Sequence, residues 1–236
     1  MSRDAVLELA AVSSGYGAAI VVRGIDLAIG RGEIVALLGK NGMGKTTLLR
    51  TIMGYLRPAE GAIRLEGRAI AGLSPHRIAR RAVAYAPQEA AIFQDLSVGE
   101  NLRLALRRGG VYAEELTRVT EAFPFLRERG GQRAGSLSGG EQKMLLVARA
   151  LMARPRIMLL DEITEGLQPS VIRRLAAVLR AERQDSGTAM LLVEQNVAFA
   201  REVADRYAVL RRGEIVDAGP VGAADAEGRI EAGLRI

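Results

Sequence analysis

The stretch Ile34-Val35-Ala36-Leu37-Leu38-Gly39-Lys40-Asn41-Gly42-Met43-Gly44-Lys45-Thr46-Thr47 leaves a chain few ways to fold. Its first five residues are apolar without alternation, the pattern of a strand buried on both faces. The next eight match G-x-x-x-x-G-K-[ST], and the residues from Thr46 to Met53 read as a helix. The chemistry explains the pattern. Glycines let backbone N–H groups turn inward around phosphate oxygens, and the helix that follows adds the positive end of its dipole. Gly39, Lys40, Asn41, Gly42, Met43, Gly44, Lys45, Thr46 and Thr47 are therefore candidate phosphate contacts. Lys45 suits the β- and γ-phosphates, and the Thr46 hydroxyl suits Mg²⁺.

A strand–loop–helix unit of this kind belongs to a parallel sheet with crossover helices, and the chain repeats the unit. Val83–Tyr85, Ile157–Leu160 and Ala189–Val193 read as further short buried strands. Helical patterns follow Pro169, and another follows the strand Ala189–Val193 to about Ala204. The two ends differ. Val6–Val12, Ile25–Ile29 and Ile63–Glu66 are half-polar strands, and Tyr207–Leu210 with Ile215–Ala218 flank a turn at Arg211–Glu214. These predict an antiparallel sheet attached to the parallel core. From about residue 89 to 151 no strand pattern appears. Ser97 and Glu100 fit a capping box opening a helix to Leu106, and Arg107–Gly110 and Arg127–Ser136 read as Gly/Arg-rich loops. The expected organisation is one domain over 1–236. Residues 1–88 and 152–236 form its core, and a helical subdomain is inserted at 89–151.

Composition removes several alternatives. The 236 residues contain no cysteine and one histidine, His76. Disulfides, thiolate metal sites and multi-histidine centres are thereby excluded. No apolar run approaches the ~20 residues of a membrane-spanning helix. Met1–Asp4 lacks the basic and apolar regions of a signal peptide, so the chain is expected to stay where it is made. The formal net charge is +6, and only Lys40, Lys45 and Lys143 among the basic residues are lysines. The aromatic residues form no stacking pattern of the kind single-strand binders use, so no nucleic-acid partner is expected.

Two further segments carry chemistry. Ile157–Leu160 ends in Asp161-Glu162, a buried strand delivering two carboxylates. Asp161 suits the Mg²⁺ shell, and Glu162 suits polarisation of an attacking water. Between the phosphate loop and this strand lies Leu137-Ser138-Gly139-Gly140-Glu141-Gln142, where Ser138 and Glu141 fit a second capping box and two glycines open a helix.

In this order the motifs resemble those of ABC ATPases, over essentially the whole chain. The resemblance implies a RecA-like P-loop NTPase core of α/β class, with an antiparallel β subdomain and an inserted helical subdomain. It implies ATP and Mg²⁺ as ligands. Tyr16 then corresponds to the aromatic that stacks on adenine. Gln88, in Tyr85-Ala86-Pro87-Gln88, matches the Q-loop glutamine that contacts Mg²⁺ and the attacking water. Ser138, Gly139 and Gly140 would close the ATP site of a second subunit. Arg149 is expected to support packing or a local ion pair, and His76 to lie on the surface.

This sequence departs from the family pattern at three places. Ile163 replaces the proline after the second carboxylate. Glu165-Gly166-Leu167-Gln168 replaces the common D-loop Ser-Ala-Leu-Asp. Gln195 replaces the histidine expected after the fourth core strand. A carboxamide can orient water or phosphate but cannot carry a proton between them. Together with Ile92–Val98 and Val193–Asn196, these departures resemble the ATPase subunits of branched-chain amino-acid and related amide or urea importers. That implies a second ATP-binding subunit (a copy or a paralogue), membrane permease subunits, and indirectly a solute-binding protein. It places the chain on the cytoplasmic face of the cell membrane. Another ABC transporter class, a soluble ABC ATPase and a P-loop kinase are the alternatives. The last has no use for Leu137–Gln142.

Overall fold

A computed structural model describes residues 5–88, 92–106 and 110–235. Met1–Asp4, most of the expected loop at Arg107–Gly110, and the expected start of the helical insertion at 89 lie outside the described residues. In chain order the first half comprises β1 (Ala5–Tyr16), β2 (Ala19–Gly30), β3 (Ile34–Leu38), α1 (Lys45–Ile52), β4 (Glu60–Leu65), β5 (Arg68–Ala69), α2 (Pro75–Ala79), β6 (Val83–Ala86), α3 (Val98–Ala105) and α4 (Tyr112–Ala122). Then follow α5 (Phe125–Glu128), α6 (Gly139–Met152), β7 (Ile157–Asp161), α7 (Pro169–Ser186), β8 (Ala189–Glu194), α8 (Val197–Val203), β9 (Arg206–Arg211), β10 (Glu214–Pro220) and α9 (Ala226–Leu234).

Two sheets organise these elements. One has order β10-β9-β3-β8-β7-β6, and the other, antiparallel, has order β2-β1-β4-β5. Strands β3, β8, β7 and β6 run parallel. The parallel strands are apolar throughout because both of their faces are covered. Ile34, Ala36 and Leu38 join the core under the helices, together with Met158, Leu160, Met190 and Leu192. Val35, Leu37, Ile157, Leu159, Leu191 and Val193 point the other way, into a core shared with the antiparallel sheet and α1. Period-two alternation thus splits one strand between two cores.

The C-terminal hairpin corrects the sequence reading. Its polarity groups it with the antiparallel strands, yet β9 lies parallel beside β3, so the hairpin extends the core sheet. Tyr207–Leu210 is buried at four successive residues, the mark of a two-faced core strand, whereas β10 alternates as an edge strand. The polar residues of β10 gave the pair its half-exposed look. A second correction concerns Arg127–Ser136, expected as loop. Its first residues end α5, and Ala134–Ser136 forms a single 3₁₀ turn. Gly/Arg composition hid the buried anchor Ala134. Ser97 and Ser138 do head α3 and α6 with complete capping boxes. Among the described residues no helix is long and apolar enough to cross a membrane.

One turn ties the two sheets together. The β9–β10 turn reaches β2, where the Arg23 N–H donates to the Gly213 carbonyl at 2.8 Å. Gly213 has φ +85°, and a Cβ there would lie 2.0 Å from the Val21 carbonyl oxygen. Gly213→Ala is therefore expected to lower unfolding free energy by more than about 1 kcal/mol, read from the denaturant midpoint at unchanged slope. An unshifted midpoint would mean that the turn does not couple the sheets.

Candidate active site

Strand register lines up the site. Leu38 pairs with Glu194, Asp161 with Val193, and Ala86 with Leu160. The chain therefore leaves four neighbouring strands at one edge, and the next residues are Gly39, Glu162, Gln195 and the Pro87-Gln88 turn. Carboxyl ends of parallel strands are where such sheets bind ligands.

The phosphate loop follows β3. Gly42 and Gly44 have φ +78° and +102°, and a Cβ on Gly44 would come within 2.8 Å of Val22 Cγ1. The loop wraps the Lys45 ammonium. Its Nζ donates to the Gly39 carbonyl at 2.7 Å and the Lys40 carbonyl at 2.9 Å, and pairs with Glu162 Oε1 at 2.9 Å. Those contacts use all three ammonium donors. The two side chains are 3% and 5% exposed, so the pair is shielded from water.

Glu162 stands directly after β7 with φ +48°, left-handed for a residue with a side chain. Its N–H donates to the Val193 carbonyl at 2.9 Å, which holds the turn. Its second oxygen, Oε2, accepts from Gln88 Nε2 at 3.1 Å and Gln195 Nε2 at 3.0 Å. A carboxylate only accepts, so both amides must turn nitrogen toward it. Gln195 Nε2 also donates to Asn41 Oδ1 at 2.6 Å, and Gln88 Nε2 to Glu165 Oε2 at 2.7 Å. Lys45, Glu162, Gln88, Gln195 and Asn41 thus form one connected cluster.

Asp161 is fully buried. Thr46 Oγ1 donates to its Oδ1 and the Tyr85 hydroxyl to its Oδ2, each at 3.3 Å. Burial pushes its carboxyl pKa up, while these two hydroxyls pull it down. No ion pair to Asp161 is found among the described residues. A buried carboxylate with a hydroxyl beside it and no cationic partner is a hard-oxygen donor set fit for Mg²⁺. Among the described residues no group of three or more His, Cys, Asp or Glu could hold a metal. Mg²⁺ commonly uses one or two carboxylates and completes its shell with substrate phosphate and water.

The remaining predicted residues lie apart. Ser138 is exposed, its hydroxyl donating to Glu141 Oε2 at 2.9 Å. Ser138, Gly139 and Gly140 make no hydrogen bond to the phosphate loop of their own chain among the described residues. Gly139 instead lines a cavity of about 220 Å³ with Gln88, Lys143 and Glu165. Tyr16, 47% exposed at the end of β1, accepts from Arg50 Nη1 at 3.2 Å. Thr47 is buried on α1. Arg149 lays its guanidinium over the Phe93 ring at 5.1 Å. His76 is exposed beside the Ser74 hydroxyl.

Sequence reasoning missed several partners. Glu194, 2% exposed, accepts from the Thr164 N–H at 3.1 Å, the Thr164 hydroxyl at 2.9 Å and the Gln195 N–H at 3.2 Å. It joins the loop after Glu162 to the loop carrying Gln195. Burial pushes its pKa up against those hydrogen bonds. A carboxylate ending an otherwise apolar strand was the available signal. The Tyr85 hydroxyl and the Lys143 ammonium, which donates to the Gln88 carbonyl at 2.7 Å, had none.

A glycine-rich loop between a parallel strand and a helix, its lysine poised against a carboxylate on the next-but-one strand, defines a P-loop nucleotide hydrolase. The ABC transporter family model matches residues 22–165, from β2 through both carboxylates. The chain belongs to that family, as an ATP-hydrolysing cassette. It is 41% identical over 211 residues to the "High-affinity branched-chain amino acid transport ATP-binding protein BraG" of Pseudomonas aeruginosa, covering 87% of this chain and 88% of that one. It is 37% identical to the "Spermidine/putrescine import ATP-binding protein PotA" of Methylococcus capsulatus, over 93% of this chain but 57% of the relative. A solved ATP-binding subunit of an ABC transporter superposes with TM-score 0.84 at 28% identity, covering 95% of this chain and 94% of that one.

The cluster makes a prediction for Gln195. Its contacts orient Glu162, and a carboxamide does not titrate near neutrality. Gln195→Ala is expected to cut ATP turnover by about 10²–10³-fold with a much smaller loss of ATP affinity. Gln195→His should keep part of the activity and gain a pH dependence between about 6 and 7.5. Turnover of Gln195→Ala within about twofold of the parent would reduce the residue to a polar cap.

Proposed function

We propose that this chain is the ATP-hydrolysing subunit of a membrane importer for branched-chain amino acids or related amino acids and amides. The observation that carries the reading is the 41% identity to BraG, which runs through nearly the full length of both chains. Glu165-Gly166-Leu167 with Pro169, and Val193-Glu194-Gln195-Asn196, support the same subfamily. The similarity to PotA favours a second reading, in which the cargo is a polyamine. The chain would work on the cytoplasmic face of the membrane with permease subunits, a second ATP-binding subunit and, indirectly, a solute-binding protein. Residues 89–151 form the helical subdomain in this reading, and 1–88 with 152–236 the core.

The site residues take the following roles. Backbone N–H groups of Gly39–Thr47 and the start of α1 hold the phosphates, and Lys45 leaves Glu162 to bind them. Tyr16 offers its exposed ring to the adenine. Thr46 and Asp161, with the Gln88 carboxamide oxygen, would hold Mg²⁺, which supplies charge neutralisation on the phosphates when bound. Glu162, freed of Lys45 and held by Gln88 and Gln195, polarises the attacking water. Ser138, Gly139 and Gly140 serve the site of the second subunit, because both halves of a site occur in one chain without meeting there. ATP between two chains then favours a closed dimer, and hydrolysis reopens it.

Two measurements test this. Lys45→Ala should lose nucleotide affinity, whereas Glu162→Gln should bind ATP, accumulate as a dimer and turn over at least about 10²-fold more slowly. A Glu162→Gln chain that stays monomeric with ATP would remove the dimer mechanism. Cells lacking the gene should lose uptake of branched-chain amino acids or small amides. Loss of spermidine uptake alone would assign the second cargo.

A further inference from the structure

Two glutamines flank Glu162, and each is fixed on its far side by a second acceptor. An amide nitrogen carries two hydrogens. Gln195 gives one to Glu162 and one to Asn41. Gln88 gives one to Glu162 at 3.1 Å and the other to Glu165 at 2.7 Å. The Gln88 tether is thus shorter than its bond to the carboxylate it serves. Its main chain is also held, since Lys143 on α6 donates to the Gln88 carbonyl at 2.7 Å. Burial pulls the Lys143 pKa below the usual lysine range, and the charge of Glu165 works against that shift. Glu165, Lys143 and Gln88 line one small cavity between the loop after β7 and the first turns of α6.

We infer that Glu165 is the positioning residue for Gln88. Its carboxylate fixes the amide so that the carboxamide oxygen is the one polar atom of the side chain left for the nucleotide side. The serine usual at this place in the family is two heavy atoms shorter and has no anionic oxygen. Glu165 therefore links the loop after Glu162 to the loop after β6 within one chain, by a charge-assisted bond. The inference rests on the reading of Glu162 as the water-polarising carboxylate.

A double-mutant cycle on the full chain tests it. Glu165→Ala is expected to lower kcat about tenfold with KM for ATP changed by less than about twofold. Glu165→Gln, whose amide oxygen accepts the same bond, should recover most of the loss. Adding Glu165→Ala to Gln88→Ala should cost nothing further, because the partner is already gone. In the ¹⁵N spectrum of the nucleotide-free chain, the Gln88 side-chain NH₂ pair, identified by its loss in Gln88→Ala, should move toward the position of a free amide in Glu165→Ala. Additive losses in the cycle, or an unmoved NH₂ pair, overturn the inference. Active Glu162→Gln would instead overturn the role of Glu162, and the NH₂ pair would still report whether the tether exists.

Discussion

The site is built around one buried ion pair, Lys45 with Glu162. Two opposite charges withdrawn from water are tolerable only when each is fully satisfied. Here both are. The ammonium has two loop carbonyls and the carboxylate, and the carboxylate has the ammonium and two amides. The same bonds hold the phosphate loop, the loop after β6 and the loop after β8 around a single point. An anion that takes Lys45 away removes one partner from Glu162 and leaves it with the two neutral amides. The carboxylate is then better placed to accept from a water molecule than it is when paired with Lys45. With Glu162 in the water-polarising role proposed above, phosphate binding and activation of the base are one exchange of partners.

That exchange works only because the strand ends are in register. Slippage of β8 against β3 by one residue would move Gln195 to the opposite face and leave Asn41 and Glu162 without their shared donor. Register is set by the two cores, which take alternate residues of β3, β7 and β8. Deep apolar packing, remote from the chemistry, thus fixes where four loop residues meet. The strained φ of Glu162 is maintained by the same ladder, since its N–H is bound to Val193 on β8.

The parallel core was legible because its signals are redundant. A two-faced apolar strand, a glycine loop and a helix occur together in Ile34–Ile52, and each alone would have been ambiguous. The helix starts at Ser97 and Ser138 were legible because a capping box is a local chemical pattern. The C-terminal hairpin was misplaced because polarity reports exposure, not neighbours: edge strand β10 looks alike whether it borders a parallel or an antiparallel sheet. Helix α2 escaped because its five residues bury only Ile78. In the site, residues with fixed spacing to a motif were found. Those acting across sequence separations were not, as with Tyr85 on Asp161 or Glu194 on Thr164. Nothing in a linear sequence brings those pairs together before the register does.

In the proposed dimer the exposed start of α6 is the part of the site that a single chain leaves unused. A helix begins with N–H groups that have no partner within it. The capping box satisfies the Glu141 N–H through the Ser138 hydroxyl, and the Glu141 carboxylate in turn accepts from the Ser138 N–H and hydroxyl. Arg129 neutralises that carboxylate at 3.0 Å. The N–H groups of Gly139 and Gly140 remain outside this closed local arrangement, on residues with no side chain to cover them. Their own phosphate loop is engaged elsewhere, with Lys45 turned toward Glu162. In the dimer proposed above, the polar start of this helix and the polar loop are the surfaces that two molecules would bring together. In that arrangement a phosphate held by the loop of one chain would supply the negative charge that the helix end of the other lacks, so nucleotide and not apolar burial would bring the two together.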